Sequence, residues 1–179
     1  VLEDVLPLKR VDVMESLQKL AEVKNEINFS NLNQKNNALE LAKWISGIPL
    51  MYYPLGLHAA AVRFKNSMQE NAKTHTIIEN VVEASHNGIV AWEKSTKVQP
   101  ILLQGTDDYI KTKERWKILK EYFNEKDIEY QEVFSKDGSI LSKLVCLIYQ
   151  LDLTSIYHAG ISGIDPSPVN SIDFVKKRL

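Results

Sequence analysis

Cysteine is nearly missing from this 179-residue sequence. The one thiol, Cys146, falls inside an apolar helical run and reads as a small core residue, so a disulfide framework and a paired-cysteine metal site are both excluded. Glycine, at 7, and proline, at 6, are too few for a collagen-like or low-complexity chain. An excess of one charge is also lacking, since 22 Lys and Arg face 23 Asp and Glu for a net charge of -1. With no basic run beyond Lys176, Lys177 and Arg178, the electrostatic footprint of nucleic-acid binding is absent and no such partner is expected. The apolar runs fall short of the ~20 residues of a bilayer span, and no charged-then-apolar leader opens the sequence. The expectation is a cytoplasmic protein with no membrane partner. His58, His75, His86 and His158 share no ligand spacing, so neither a metal nor another cofactor is expected. A phosphate-cradling glycine loop, a dinucleotide fingerprint and a Gly-x-Ser-x-Gly elbow are missing as well.

What is present is the composition of one ordinary globular domain, 44% hydrophobic and 25% charged. After an irregular opening containing Pro7, residues 12–27 place Val13, Leu17, Leu20, Val23 and Ile27 at helical spacing, and Asp12 with Glu15 resembles a capping box. A second helix carries Ala38, Leu41, Ala42 and Ile45 on one face, with Gly47 as its left-handed stop. From there short apolar strands alternate with helices. Strand 48–53 leads to helix 57–73, whose stripe is Leu57, Ala61, Phe64 and Met68. A short strand Thr76-Ile77-Ile78 follows, then strand 100–104 and a helix containing Trp116, Leu119 and Phe123. Strand 128–134 leads to helix 140–151, which is apolar over more than half its circumference and so should be the most buried. A short last helix follows the turn at 164–168. This alternation predicts right-handed crossovers and a three-layer αβα sandwich of flavodoxin type, with a parallel sheet of four to five strands. The chain reads as a single domain, with a helical lead-in at 1–46, the αβα core at 47–160, and a C-terminal turn and helix at 161–179.

Three stretches carry a family resemblance. Ala61-Val-Arg-Phe-Lys-Asn-Ser-Met-Gln-Glu-Asn-Ala-Lys73 resembles the Ala-x-Arg-Trp-Lys…Glu-Asn-x-Lys helix of the bifunctional phosphoglucose/phosphomannose isomerases. Ser85-His-Asn-Gly-Ile-Val-Ala-Trp92 is similar to their His-Asn-x-Ile-Val-x-Trp segment. Ser155-Ile-Tyr-His-Ala159, then Gly163-Ile-Asp-Pro-Ser-Pro-Val169 with Ile172 and Lys176, resembles their C-terminal pattern. Such isomerases hold two sugar isomerase (SIS) domains in one chain, and the resemblance is to the second. The Ser-x-Ser-Gly-x-Thr phosphate loop of the first half is not found in this sequence. The resemblance therefore implies the C-terminal half of a longer two-domain isomerase, with an N-terminal SIS domain of the same or another chain as partner and weak or no activity without it.

The resemblance implies aldose-ketose isomerisation of hexose 6-phosphates, glucose 6-phosphate and also mannose 6-phosphate to fructose 6-phosphate, through a cis-enediolate. It makes Glu70 the base that moves a proton between C1 and C2. By its own position Glu70 lies off the apolar stripe of its helix and near the C-terminal end, where the macrodipole disfavours negative charge; the plainer reading is a solvated Glu paired with Lys73. His86 is implied as the ring-opening relay, supplied across the interface of a homodimer with a shared site, and is expected to open a helix whose dipole would disfavour an imidazolium. Lys176 is implied as a third catalytic group, with its register uncertain by one. Ser167 stands where many family members carry Thr and is expected to bind substrate, as are Asn71 and Arg63; Arg63 and Asn66 share the polar side of the Glu70 helix and could orient its carboxylate. His158 is expected to pack beside the C-terminal turn. A second reading keeps the SIS fold without catalysis, as a phosphosugar-binding module with a regulatory or dimerisation role.

Overall fold

A computed structural model of the chain describes residues 8–32 and 35–179; the irregular opening expected around Pro7 lies outside them. Among the described residues four strands form one sheet, β1 (Ile48–Tyr53), β2 (Ile77–Asn80), β3 (Val98–Gln104) and β4 (Gln131–Phe134), in the order β2-β1-β3-β4. Every neighbouring pair is parallel, with Leu50 opposite both Ile77 and Pro100. The helices are α1 (Arg10–Ile27), α2 (Asn37–Trp44), α3 (His58–Asn71), α4 (Val81–Ala84), α5 (Ile110–Glu125), α6 (Ile140–Ile161) and α7 (Asn170–Lys176), with 3-10 turns at Leu55–Leu57 and Gly88–Glu93.

The period-2 alternation of the strands divides the core. Leu50, Tyr52 and Leu102 face Trp92, Trp116, Leu119 and Phe123 on the α4 and α5 side. Met51, Ile101, Leu103 and Val133 face Phe64, Met68, Leu147 and Leu151 from α3 and α6. The outer side of α6 then buries Cys146, Leu153 and Tyr157 against Val23 and Ile27 of α1 and Ala38, Leu39 and Ala42 of α2. Covered on both sides, α6 carries the largest share of the core, as its near-continuous apolar pattern predicts. Each fully buried Leu, Phe or Met side chain stabilises the fold by about 1.5–3 kcal/mol.

Several local expectations are corrected. Asp12 and Glu15 do not form a capping box: Lys9 is the N-cap of α1 without a side-chain bond. The Glu15 carboxylate instead accepts from Ser139 N (2.8 Å) and Ser142 Oγ (2.7 Å) at the start of α6. The first turns of the expected α1 stripe, Val13 and Leu17, are exposed, and only Val23 and Ile27 of that stripe are buried. Gly47 is not a left-handed stop, because α2 ends at Ile45 in extended backbone and Gly47 is not among the residues with positive φ. It is glycine because a Cβ there would stand 2.1 Å from the Lys97 carbonyl oxygen, beside the Ile48 N–H bond to that same oxygen (3.0 Å). Finally, α6 continues past Leu151 to Ile161, and its 22 residues are long and apolar enough to cross a membrane by length and composition. Half of that apolar window is buried inside the fold, where α6 is the central helix of the α/β packing.

Candidate functional site

The buried stripe of α3, Leu57, Ala60, Ala61, Phe64 and Met68, fixes which way its polar residues turn. One polar edge is spent on α6. Arg63 Nε and Nη2 fork the Asp152 carboxylate at 2.9–3.1 Å, and Ser67 Oγ donates to Asp152 Oδ1 at 2.5 Å. Asn71 Nδ2 donates to Ser155 Oγ at 2.8 Å. Two of the expected substrate contacts, Arg63 and Asn71, thus already hold α6 within this chain. The Asp152 carboxylate binds the Arg63 guanidinium and holds its pKa above the usual range. Arg63 makes its fork to Asp152, not to Glu70; Asn66 is exposed.

Glu70 stays exposed in the last turn of α3. It borders a hollow of about 440 Å³ lined by Gln69, Lys73 and residues 168–172. Lys73 does not pair with the Glu70 carboxylate; its Nζ donates to the main-chain oxygen of Glu70 (2.6 Å) and reaches Pro168 O (2.8 Å) and Pro166 O (3.4 Å). The turn it meets begins where α6 ends, with Ile164 N bonded to Ala159 O at 2.8 Å and Gly163 at φ 67°. Within it Asp165 Oδ1 accepts from Ser167 N at 2.9 Å, and that bond holds the Asp165 carboxyl below the usual carboxylate range. Ser167 is exposed beside the hollow, and α7, which has no buried residue, carries Lys176 in its last turn.

His86 does not open a helix. It follows the single turn of α4, with its amide bonded to Glu83 O at 2.9 Å, and precedes the 3-10 segment that begins at Gly88. The residue that anchors this stretch is Trp92, 7% exposed, whose Nε1 donates to the Tyr52 hydroxyl at 2.8 Å. Burial of that hydroxyl pushes its pKa up to about 12. Topology separates the two candidates. Glu70 ends a helix that returns from the carboxyl end of β1 to the start of β2, whereas His86 follows the carboxyl end of β2. In one chain they therefore lie toward opposite ends of β2 and on opposite faces of the sheet, α3 packing in one core and α4 in the other.

Open parallel sheets usually hold ligands at the carboxyl ends of their strands, where strand order reverses. That point here lies between β1 and β3. The segment leaving β1 is Pro54-Leu55-Gly56-Leu57, with no hydroxyl to offer a phosphate, and Ile140 Cδ1 approaches it within 4.0 Å of a Cβ built at Gly56. Nearby, the buried Lys143 ammonium is paired with Asp107 and holds that carboxyl below its usual range. The Glu70 hollow lies toward the amino ends of the strands, where α3 returns to β2. Among the described residues no group of three or more metal-ligating side chains gathers.

Comparison with known proteins places this geometry. The family profile described as bacterial phospho-glucose isomerase C-terminal SIS domain matches residues 34–179. The chain belongs to that family. Curated relatives include a bifunctional phosphoglucose/phosphomannose isomerase of Aquifex aeolicus, 30% identical over 85% of this chain and 48% of the relative. Another of the same description, from Caldicellulosiruptor bescii, is 27% identical over 93% of this chain and 51% of its own length. The chain thus spans about half the length of the curated relatives it matches. Among solved structures, a glucose-6-phosphate isomerase like protein from Thermus thermophilus covers 86% of this chain and 53% of its own, with a TM-score of 0.70 at 19% identity. The sugar isomerase domain of an RpiR transcription factor from Sphaerobacter thermophilus covers 94% and 97%, with a TM-score of 0.63 at 12% identity. At those identities the likeness is one of fold.

Within this SIS domain much of the family-like sequence pattern builds architecture. In the 155–159 stretch, Ser155 receives Asn71, Tyr157 Oη donates to Ile27 O at 2.8 Å and accepts from Asn36 at 3.3 Å, and His158 Nδ1 lies 3.1 Å from Ala42 O. His158 therefore ties α6 to α2. His58 stacks on Tyr53 with ring centroids 5.1 Å apart, and His75 is exposed. Sequence reasoning missed Asp152 and the reach of Lys73. Asp152 is one carboxylate in an apolar helix, and its opposition to Arg63 depends on how two helices pack. Lys73 closes the expected helix 57–73, and the signal that could have found it is the general tendency of lysines near a helix C-terminus to bond its last carbonyls.

Proposed function

We propose that the chain is the C-terminal half of a sugar-phosphate isomerase that interconverts glucose 6-phosphate, and also mannose 6-phosphate, with fructose 6-phosphate in the cytoplasm. The observation that carries this reading is the Glu70 carboxylate, unpaired by its neighbouring lysine and bordering a hollow formed with residues 168–172. A carboxylate placed there takes the C2 proton of the open-chain aldose and returns it to C1 of the cis-enediolate. General acid-base transfer of this kind is worth ~10²- to 10⁴-fold. Ser167 lies beside the hollow and contacts substrate, and Lys176 steadies the anion that develops on the enediolate oxygens.

His86 relays the proton for ring opening from a second subunit. The opposite placement of Glu70 and His86 in one chain supports a shared site, which requires a homodimer. Phosphate is held by the N-terminal SIS half, a division of labour supported by the apolar Pro54-Leu55-Gly56-Leu57 segment where this half would otherwise bind it. The test is proton exchange at C1 of fructose 6-phosphate in deuterated water, using the full two-domain chain. Glu70→Gln should lower exchange by about 10²-fold or more with binding of the sugar phosphate retained. Undiminished exchange removes Glu70 from the mechanism; binding without exchange in the unaltered chain favours a phosphosugar-sensing module.

A further inference from the structure

Lys73 occupies a backbone conformation that favours glycine. It follows the end of α3 with φ 53°, in the left-handed region, while Ala72 N and Thr74 N both return to Met68 O at 3.1 and 3.2 Å. Glycine is the common residue at such a helix stop, because a Cβ there crowds the following carbonyl oxygen. What the lysine adds is an ammonium that glycine lacks. Its three donors meet three main-chain oxygens, those of Glu70, Pro166 and Pro168. Two of these belong to prolines in a turn more than 90 positions away, as the sequence separations of 93 and 95 record.

Ile164 anchors the head of that turn, with its amide on Ala159 O at 2.8 Å and its side chain against the core. Its internal order is the Asp165 to Ser167 bond, and α7 beyond it buries no residue. The same turn supplies Pro168 and residues 169–172 to the wall of the Glu70 hollow. One side chain therefore caps the last turn of the helix that bears Glu70 and fastens the opposite wall to it. We infer that Lys73 is a positioning residue, a clamp that sets the distance between the Glu70 carboxylate and the Ser167 turn and so shapes the substrate hollow. The kinetic half of this inference rests on the Glu70 reading; the mechanical half does not.

The substitution Lys73→Gly separates the roles, because it suits the left-handed backbone while deleting the side chain and its ammonium. Lys73→Met deletes the charge while keeping the bulk and the strain. In the full two-domain chain both variants should speed hydrogen exchange in peptides spanning 163–172. Both should lower kcat about 10- to 100-fold, the scale of a misplacement near 1 Å, while the thermal midpoint of Lys73→Gly stays at or above that of the parent. Unchanged exchange in 163–172 overturns the clamp whatever the activity does. Faster exchange with unaltered kcat and KM overturns the positioning role, and a lowered thermal midpoint in Lys73→Gly assigns the residue to general stability. Loss of the Glu70 reading would be seen separately, as C1 exchange of fructose 6-phosphate surviving in Glu70→Gln.

Discussion

The Glu15 carboxylate serves the N-terminus of a helix that begins 124 positions later. Hydrogen bonds from Ser139 and then Ser142 hold its pKa down from 4.5 to about 2, where the helix macrodipole also favours an anion. A carboxyl whose pKa is depressed by folding contributes stability above its unfolded value and loses it as pH falls through the folded one. Stability should therefore decline from about pH 5 toward pH 2, and Glu15→Gln should flatten that decline in urea midpoints measured across the range. An acid limb of unaltered slope would contradict the assignment. The sequence placed Glu15 in a local capping pattern because only local partners can be read from spacing; Ser139 becomes its partner when α1 lies along α6. Cys146 was legible without that knowledge. Burial raises its thiol pKa, as its place in an apolar helical run implies, so native protein should resist alkylation that unfolded protein accepts.

The α3 and α6 pair shows what an apolar period conveys about an element and what it omits. Leu57, Ala61, Phe64 and Met68 are buried as their spacing predicts, and Phe64→Ala should destabilise the chain by about 3–5 kcal/mol in chemical denaturation. The polar seam between the same helices was not legible, since Arg63, Ser67 and Asp152 meet only after both stripes have docked. Arg63 has a side chain 55% exposed, so its ion pair contributes little in solvent. Ser67 is 3% exposed, and its hydroxyl has Asp152 as acceptor. Asp152→Ala should therefore cost about 1–3 kcal/mol, mostly for the stranded hydroxyl, whereas Arg63→Met should cost less. Equal losses in the two variants would show that the ion pair dominates.

At the scale of the molecule, the sheet sends Glu70 and His86 toward opposite ends of β2 and onto opposite faces. If one site draws each from a different subunit, full-length Glu70→Gln and His86→Ala chains, inactive alone, should regain isomerase activity when mixed and allowed to exchange subunits. Persistent inactivity with exchange shown by mass would restrict the site to one subunit. The sequence by itself determined the strand and helix alternation, the parallel sheet, the buried faces of α3 and α6 and the family, because those follow from side-chain period and from motifs contiguous along the chain. Tertiary structure alone decided that Asn71 and Arg63 are engaged by α6, that His86 follows a helical turn instead of opening a helix, and that Lys73 reaches the C-terminal turn. Those contacts join groups separated by about 90 positions, and their direction is set by how faces dock, which no local spacing encodes.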